Sequence, residues 1–88
     1  MAPVFLSKNV YTYGSASIVG NNHLKMVIRQ EDSLLFECIG FGLGDYLLQI
    51  KKEIPFDICY TIEDKVWKDK RSIQLNIKGI RKANSFVI

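Results

Sequence analysis

Polar and apolar residues alternate with a period of two through much of this chain, as they do in strands with one face buried and one face wet. The cleanest run is His23 to Gln30, where Leu24, Met26 and Ile28 share one face and His23, Lys25, Val27 and Arg29 share the other. After Pro55 restarts extended structure, Phe56, Ile58, Tyr60 and Ile62 alternate with Asp57, Cys59, Thr61 and Glu63. Ser72 to Lys82 repeats the pattern with Ile73, Leu75 and Ile77 inward and Gln74, Asn76 and Lys78 outward. Gly79 marks a bulge before Ile80. Two more strands are predicted: Asn9 to Val19, rich in Tyr, Val, Thr and Ser and bent at Gly14, and Leu34 to Phe41.

Gly20-Asn21-Asn22 and Glu31-Asp32-Ser33 supply turns, and the second of these makes an antiparallel hairpin of the strands it joins. Gly40-Phe41-Gly42-Leu43-Gly44 ends the third strand. Asp45 is then placed to cap a short helix through Lys52, with Tyr46, Leu47 and Ile50 on one side. Strand, strand, strand, helix, strand, strand is the order of an oligonucleotide-binding (OB) barrel. The expected fold is therefore mainly β: a five-stranded OB barrel with a short helix between strands three and four. It forms one domain over residues 4–82, with a tail at 83–88.

Length and composition agree with this. Eighty-eight residues, 48% hydrophobic and 24% charged, make one globular domain. No segment approaches the roughly 18 to 20 apolar residues of a membrane span. The N-terminus has no charged region ahead of its apolar residues, as a signal peptide would. Cys38 and Cys59 stand alone within apolar strands, which reads as two buried reduced thiols in a cytoplasmic protein rather than a disulfide.

Charge is unevenly spread. Lys65 to Lys82 holds seven of the twelve cations and one acid, Asp69, so it carries +6 while the rest of the chain sums to −3. The stretch also contains the only tryptophan, Trp67. Cations neutralise phosphates and an indole offers a stacking surface, so a single-stranded polyanion with exposed bases suits it. A solvated hairpin connection whose lysines only confer solubility fits the composition equally well. Position favours the first reading. In an OB barrel the ligand face comprises strands two and three with the loops joining strands 1–2 and 4–5, here Gly20 to Asn22 and Asp64 to Arg71. Lys25 and Arg29, with Gln74, Asn76 and Lys78, then line one groove beside Lys65, Lys68, Lys70 and Arg71. Tyr11, Tyr13 and Trp67 are available to stack bases; barrel packing accounts equally well for the tyrosines, while Trp67 is expected to be exposed.

Catalysis finds little support. His23, the only histidine, has no partner at metal-ligand spacing, and the Glu31-Asp32 and Glu63-Asp64 pairs point to opposite faces of extended chain. The glycines at 40, 42 and 44 lack the Lys-Ser/Thr of a phosphate loop and the spacing of a dinucleotide site, and fit a tight turn.

Gly20-Asn21-Asn22-His23-Leu24-Lys25-Met26 followed by Ile39-Gly40-Phe41-Gly42 resembles the G-x-x-HLKL … AIGFG pattern of the RecJ family, bacterial single-strand-specific 5′→3′ DNA exonucleases. Phe56 to Glu63 is similar to that family's VDIAYTLE strand. Trp67, with Gln74-Leu75-Asn76-Ile77-Lys78 and Ile80-Arg81, is similar to its W-x-G … LQL-x-KDIR segment. The likeness spans residues 4–82 in order. It departs at Asp64 for the usual Asn, at Lys68-Asp69-Lys70 for the loop glycine, and at Gly79 for Asp.

The resemblance implies an OB domain that binds single-stranded DNA for a nuclease acting in repair and recombination. The cutting would be done by a separate DHH phosphoesterase core using Mn²⁺ or Mg²⁺, and no motif of that core occurs here. The chain thus reads as an excised C-terminal domain that binds without cutting, in a bacterial cytoplasm. Its expected partners are single-stranded DNA and the parent's nuclease core, with no cofactor, metal, membrane or small-molecule substrate of its own. The residues expected to carry binding are Lys25, Arg29, Trp67, Lys68, Lys70, Arg71, Gln74, Asn76 and Lys78. A module that packs against the nuclease core or another protein, and a stand-alone RNA-binding OB protein, are the alternatives.

Overall fold

The computed structural model describes residues 3–30 and 34–83. The predicted turn at Glu31 to Ser33, and all of the predicted tail except Ala83, lie outside the described residues. The elements are β1 (Phe5–Val19), β2 (His23–Gln30), β3 (Leu34–Gly40), a 3₁₀ helix (Gly44–Gln49), β4 (Phe56–Trp67) and β5 (Lys70–Lys82). They close a barrel in the order β1-β2-β3-β5-β4, antiparallel throughout except for the parallel β3–β5 pair. This is the expected five-stranded barrel, with a short helix between the third and fourth strands.

Alternation sets the interior. Val10, Leu24, Met26, Ile28, Cys38, Phe56, Ile58, Leu75 and Ile77 form the buried core. Fully burying a side chain such as Leu24, Ile28 or Ile58 contributes roughly 1.5–3 kcal/mol. The helix expected over Asp45 to Lys52 is instead one 3₁₀ segment. Asp45 lies in its first turn, and no side chain caps its start. The turn ahead of it fits closely: the Gly44 amide donates to the Asn22 carbonyl at 3.1 Å, and a Cβ on Gly44 would clash with the Asn22 side chain. Tyr46, Leu47 and Ile50 still turn toward the core and cover it.

β1 begins four residues before its predicted start and serves two neighbours. Phe5, Leu6, Ser7 and Val10 pair with β4, and Tyr11 onward pairs with β2. One strand reaches both partners because it is bent twice, at a bulge where Asn9 takes φ 58 and at a register shift after Tyr13 where Gly14 takes φ 75. The first bend is fixed by Asp57, only 2% exposed, whose Oδ1 accepts the Asn9 amide at 3.0 Å and whose Oδ2 accepts Arg81 Nε at 3.0 Å. Burial raises the Asp57 carboxyl. The Asn9 amide, the Arg81 guanidinium and the charge of Lys8 together outweigh that effect and hold it below its ordinary value.

The largest correction concerns Asp64 to Arg71, expected as a loop. It is continuous hairpin: Asp64 pairs with Ile73, Lys65 with Ser72, Val66 with Arg71 and Trp67 with Lys70. Only Lys68 and Asp69 turn, with φ of 50 and 64. Left-handed geometry at both central residues is what a two-residue β-hairpin demands, and it favours Asn-Gly. Position 69 is where the W-x-G pattern carries its glycine. Because this hairpin runs past the barrel, Ile62 and Ile73, expected inward, are 48% and 53% exposed. The bulge at Gly79 is present: the register shifts there, with Cys59 opposite Gly79 and Tyr60 opposite Ile77. Of the two cysteines, both free, Cys38 is buried and its thiol is pushed up to about 12 by burial and by the charge of Glu37. Cys59 is only half-buried, since it faces outward beside Gly79.

Two outcomes are expected. Asp57 has a lower value in the folded than in the unfolded chain, so its contribution to stability is complete above the ordinary 3.8 and is lost as pH falls below it. Thermal melts of Asp57→Asn should show a loss of about 1–3 kcal/mol at neutral pH. They should also show a flatter acid limb than wild type; parallel acid limbs would dismiss the assignment. Replacing Lys68-Asp69 by Asn-Gly should add about 1 kcal/mol in urea denaturation, by removing left-handed strain.

Candidate nucleic-acid interface

The barrel's outer surface is organised by register into rows that cross the strands. One row runs Ser17, Lys25, Ile39, Asn76, Thr61, and the next runs Tyr13, Val27, Glu37, Gln74, Glu63. A third carries Tyr11, Arg29 and Leu35. Beyond the barrel the same face continues along the hairpin as Lys65 opposite Ser72 and Trp67 opposite Lys70. Lys25, Arg29, Trp67, Lys70, Gln74 and Asn76 therefore lie on one outward surface, with Lys68 at its tip. Adjacent strands are about 4.8 Å apart, so Lys25 and Asn76 are separated by about 10 Å.

Trp67 is 73% exposed, as its polar surroundings predict, and Lys68 Nζ lies 5.7 Å from its ring centroid. At the other end, the Arg29 guanidinium lies over the Tyr11 ring at 5.2 Å. Each pairing presents a flat π surface edged by a cation, an arrangement that accepts a base on the ring and a phosphate beside it. Tyr13, 56% exposed, lies two residues further along β1 from Tyr11, opposite Val27.

Three of the candidate residues are placed differently from the rest. Arg71 points to the opposite face of the hairpin and is ion-paired with Asp64. Asn76 is 8% exposed and donates its Nδ2 to Glu63 Oε2 at 3.0 Å, so it orders the surface more than it offers itself. Lys78 is exposed in the β4–β5 bulge, past the row that holds Asn76. Two acids that sequence reasoning left out of the interface, Glu37 and Glu63, flank Gln74 directly. Register supplies that information, and composition does not.

The histidine motif has a structural explanation. His23 Nδ1 accepts the Gly42 amide at 3.1 Å, and its ring meets Phe41 edge-on at 5.2 Å. This accepting role places the neutral ring's proton on Nε2. Gly42 takes φ 74, and Asn22 Nδ2 donates to the Gly42 carbonyl at 3.5 Å. The β1–β2 turn and the Gly40 to Gly44 turn are thereby clasped together at one end of the barrel. Among the described residues no group of three or more His, Cys, Asp or Glu side chains is placed to hold a metal ion, and no helix is long and apolar enough to cross a membrane.

A family model described as the RecJ OB domain matches residues 1–79. No curated protein and no solved structure matches the chain.

Binding and folding residues should separate in stability measurements. Trp67→Ala, on an exposed hairpin end, is expected to change unfolding free energy by less than about 0.5 kcal/mol. His23→Ala should cost about 1–2 kcal/mol by releasing the Gly42 amide and the Phe41 contact. Denaturant titrations of the two variants make the comparison, and a large loss in Trp67→Ala would give the indole a structural role instead.

Proposed function

The chain belongs to the RecJ OB-domain family, and from that premise we propose that it binds single-stranded DNA for a RecJ-like 5′→3′ exonuclease of repair and recombination. The observation that carries this reading is the exposed Trp67. It shares one hairpin face with Lys65 and Lys70, is edged by Lys68, and is continuous with Lys25 and Arg29 on the barrel. A strand laid along this surface stacks bases on Trp67, and on Tyr11 or Tyr13, while its phosphates meet the lysines and Arg29. Glu37 and Glu63 repel phosphate in the middle of the path, which favours contact at the two ends and modest affinity for the isolated module. Hydrolysis, with its Mn²⁺ or Mg²⁺, is assigned to a nuclease core elsewhere in the parent enzyme, which this domain supplies with a held strand.

Anisotropy of labelled oligo-dT at a series of salt concentrations tests the proposal. Neutralising three or four phosphates predicts a log–log salt slope of about −2 to −3 for a single strand. Trp67→Ala combined with Lys68→Glu should abolish binding, and Glu37→Gln should strengthen it. Absence of salt-sensitive binding at concentrations on the order of tens of micromolar overturns the proposal for this domain. Stronger binding to a matched RNA strand would transfer the assignment to RNA.

A further inference from the structure

β3 and β5 are paired only through Glu37–Gln74, Cys38–Leu75 and Ile39–Asn76. The continuous outer surface from Trp67 on the β4–β5 hairpin to Tyr11 and Arg29 on the other side of the barrel therefore crosses at two rows. In one of them Ile39 and Asn76 are buried. The other presents Glu37, Gln74 and Glu63, which are neighbours in register. Strand alternation gives Glu63 the same face as Lys65 and Trp67. These three side chains are the ones that meet a strand at the crossing.

Each has a set hydrogen-bonding sense. A carboxylate only accepts. Glu63 is half-buried and oriented, because its Oε2 accepts Asn76 Nδ2 at 3.0 Å, and this leaves Oε1 as an acceptor. Gln74 Oε1 is buried without a partner among the described residues, so Nε2 is the atom that Gln74 offers to the surface. Glu37 is exposed on the far side of Gln74. From β3 through β5 to β4 the row presents acceptor, donor, acceptor. Its two negative charges also repel phosphate, so the part of a strand that suits this place is the edge of a base.

We propose that the Glu37–Gln74–Glu63 row reads one base edge and prefers adenine to thymine, an inference that rests on the single-stranded-DNA reading above. Bases of a single strand are open on their Watson–Crick edges. Adenine offers its N6 amino donor and N1 acceptor there and ends in C2–H. It meets one carboxylate and the Gln74 amide and opposes neither. Thymine offers O4, N3–H and O2, the same order as the row, so each group faces its like. Cytosine sets N4 and N3 correctly but brings O2 against the second carboxylate. The base 2,6-diaminopurine, with an amino group on each side of N1, complements all three positions. A cation site is a poorer use of the acids, since among the described residues no third His, Cys, Asp or Glu joins them.

Anisotropy of the 88-residue chain with labelled oligo-dT strands tests this. Every third base is replaced by unsubstituted purine, adenine or 2,6-diaminopurine, so the ring is constant and the edge varies. Affinity should rise in that order, by about tenfold across the series. Glu37→Gln combined with Glu63→Gln keeps an oxygen for Asn76 but lets both ends of the row donate as well as accept. It should bring the three strands to within about twofold, while a thermal melt confirms folding. Trp67→Ala should weaken all three alike and keep their order.

Equal affinity for the three strands, with salt-sensitive binding intact, overturns this inference and leaves strand binding standing. The same order persisting in the double variant assigns the preference to other residues and overturns it as well. If no strand binds, the single-stranded-DNA reading falls and this inference falls with it.

Discussion

The Asp57 carboxylate is the joint on which the barrel's closure depends. In this barrel β1 closes the sheet by pairing with β4 over its first part and with β2 over the rest, and it bends between the two partners at the bulge at Asn9. A bulge leaves an unpaired amide, and in a buried seam an unpaired amide is costly. Asp57, on β4, accepts that amide and with its other oxygen takes the Arg81 guanidinium from β5. One side chain thus satisfies the bulge and ties three strands. Its charge is tolerated in a nearly closed site because donors meet both of its oxygens. Nearer the hairpin a neutral counterpart closes the same seam, where Ser7 meets Tyr60 at 2.8 Å and Gln30 at 3.3 Å.

With closure secured on that side, the β3–β5 side is free to be short. Three paired residues suffice there, and β4 and β5 go on as a hairpin beyond the barrel. That extension presents two chemically different faces from one element. Strand alternation sends Lys65, Trp67 and Lys70 to the outer face and Ile62, Val66 and Ile73 to the other. The principal extents of 50 × 28 × 27 Å reflect this projection. A basic aromatic surface and an apolar one thus sit back to back on the same two strands.

The barrel was legible because its evidence is local. Leu24, Met26 and Ile28 announce a half-buried strand by themselves, and strand order with one helix leaves few topologies. Trp67's exposure was legible for the same reason, from a polar stretch in which Val66 is its one apolar neighbour. The hairpin was not, because Lys68-Asp69 lacks the Asn-Gly or Asp-Gly that marks a two-residue turn, and a run of charges resembles a loop. Once that turn is placed, the fate of Arg71 follows: in a loop it was free to join Trp67, whereas in a strand opposite Val66 it must face away. Ile62 and Ile73 were misjudged by the same step, since period two identifies a shared face but cannot say where the barrel beneath it ends. Glu37 and Glu63 became part of the interface only through cross-strand register, which one sequence does not display.

Most of the residues that carry the family likeness build the scaffold rather than the ligand surface. His23 and Gly42 clasp two turns, Asn22 packs against the start of the 3₁₀ helix, Asp57 closes the seam, and Leu75 and Ile77 are core. Of the matched positions expected to carry binding, Lys25, Trp67 and Lys78 are the ones that present an exposed cation or ring. Family membership therefore establishes the barrel with far more force than it establishes the ligand. On the proposed reading, affinity and preference would depend largely on side chains outside those motifs: Lys65, Lys68 and Lys70 on one side of the balance, Glu37 on the other. Two members of such a family can share every clasp and seam yet differ widely in how strongly they hold a strand. Among the motif residues only Trp67 couples the two levels, because its ring can serve a ligand only if the two residues after it turn back as tightly as Lys68 and Asp69 do.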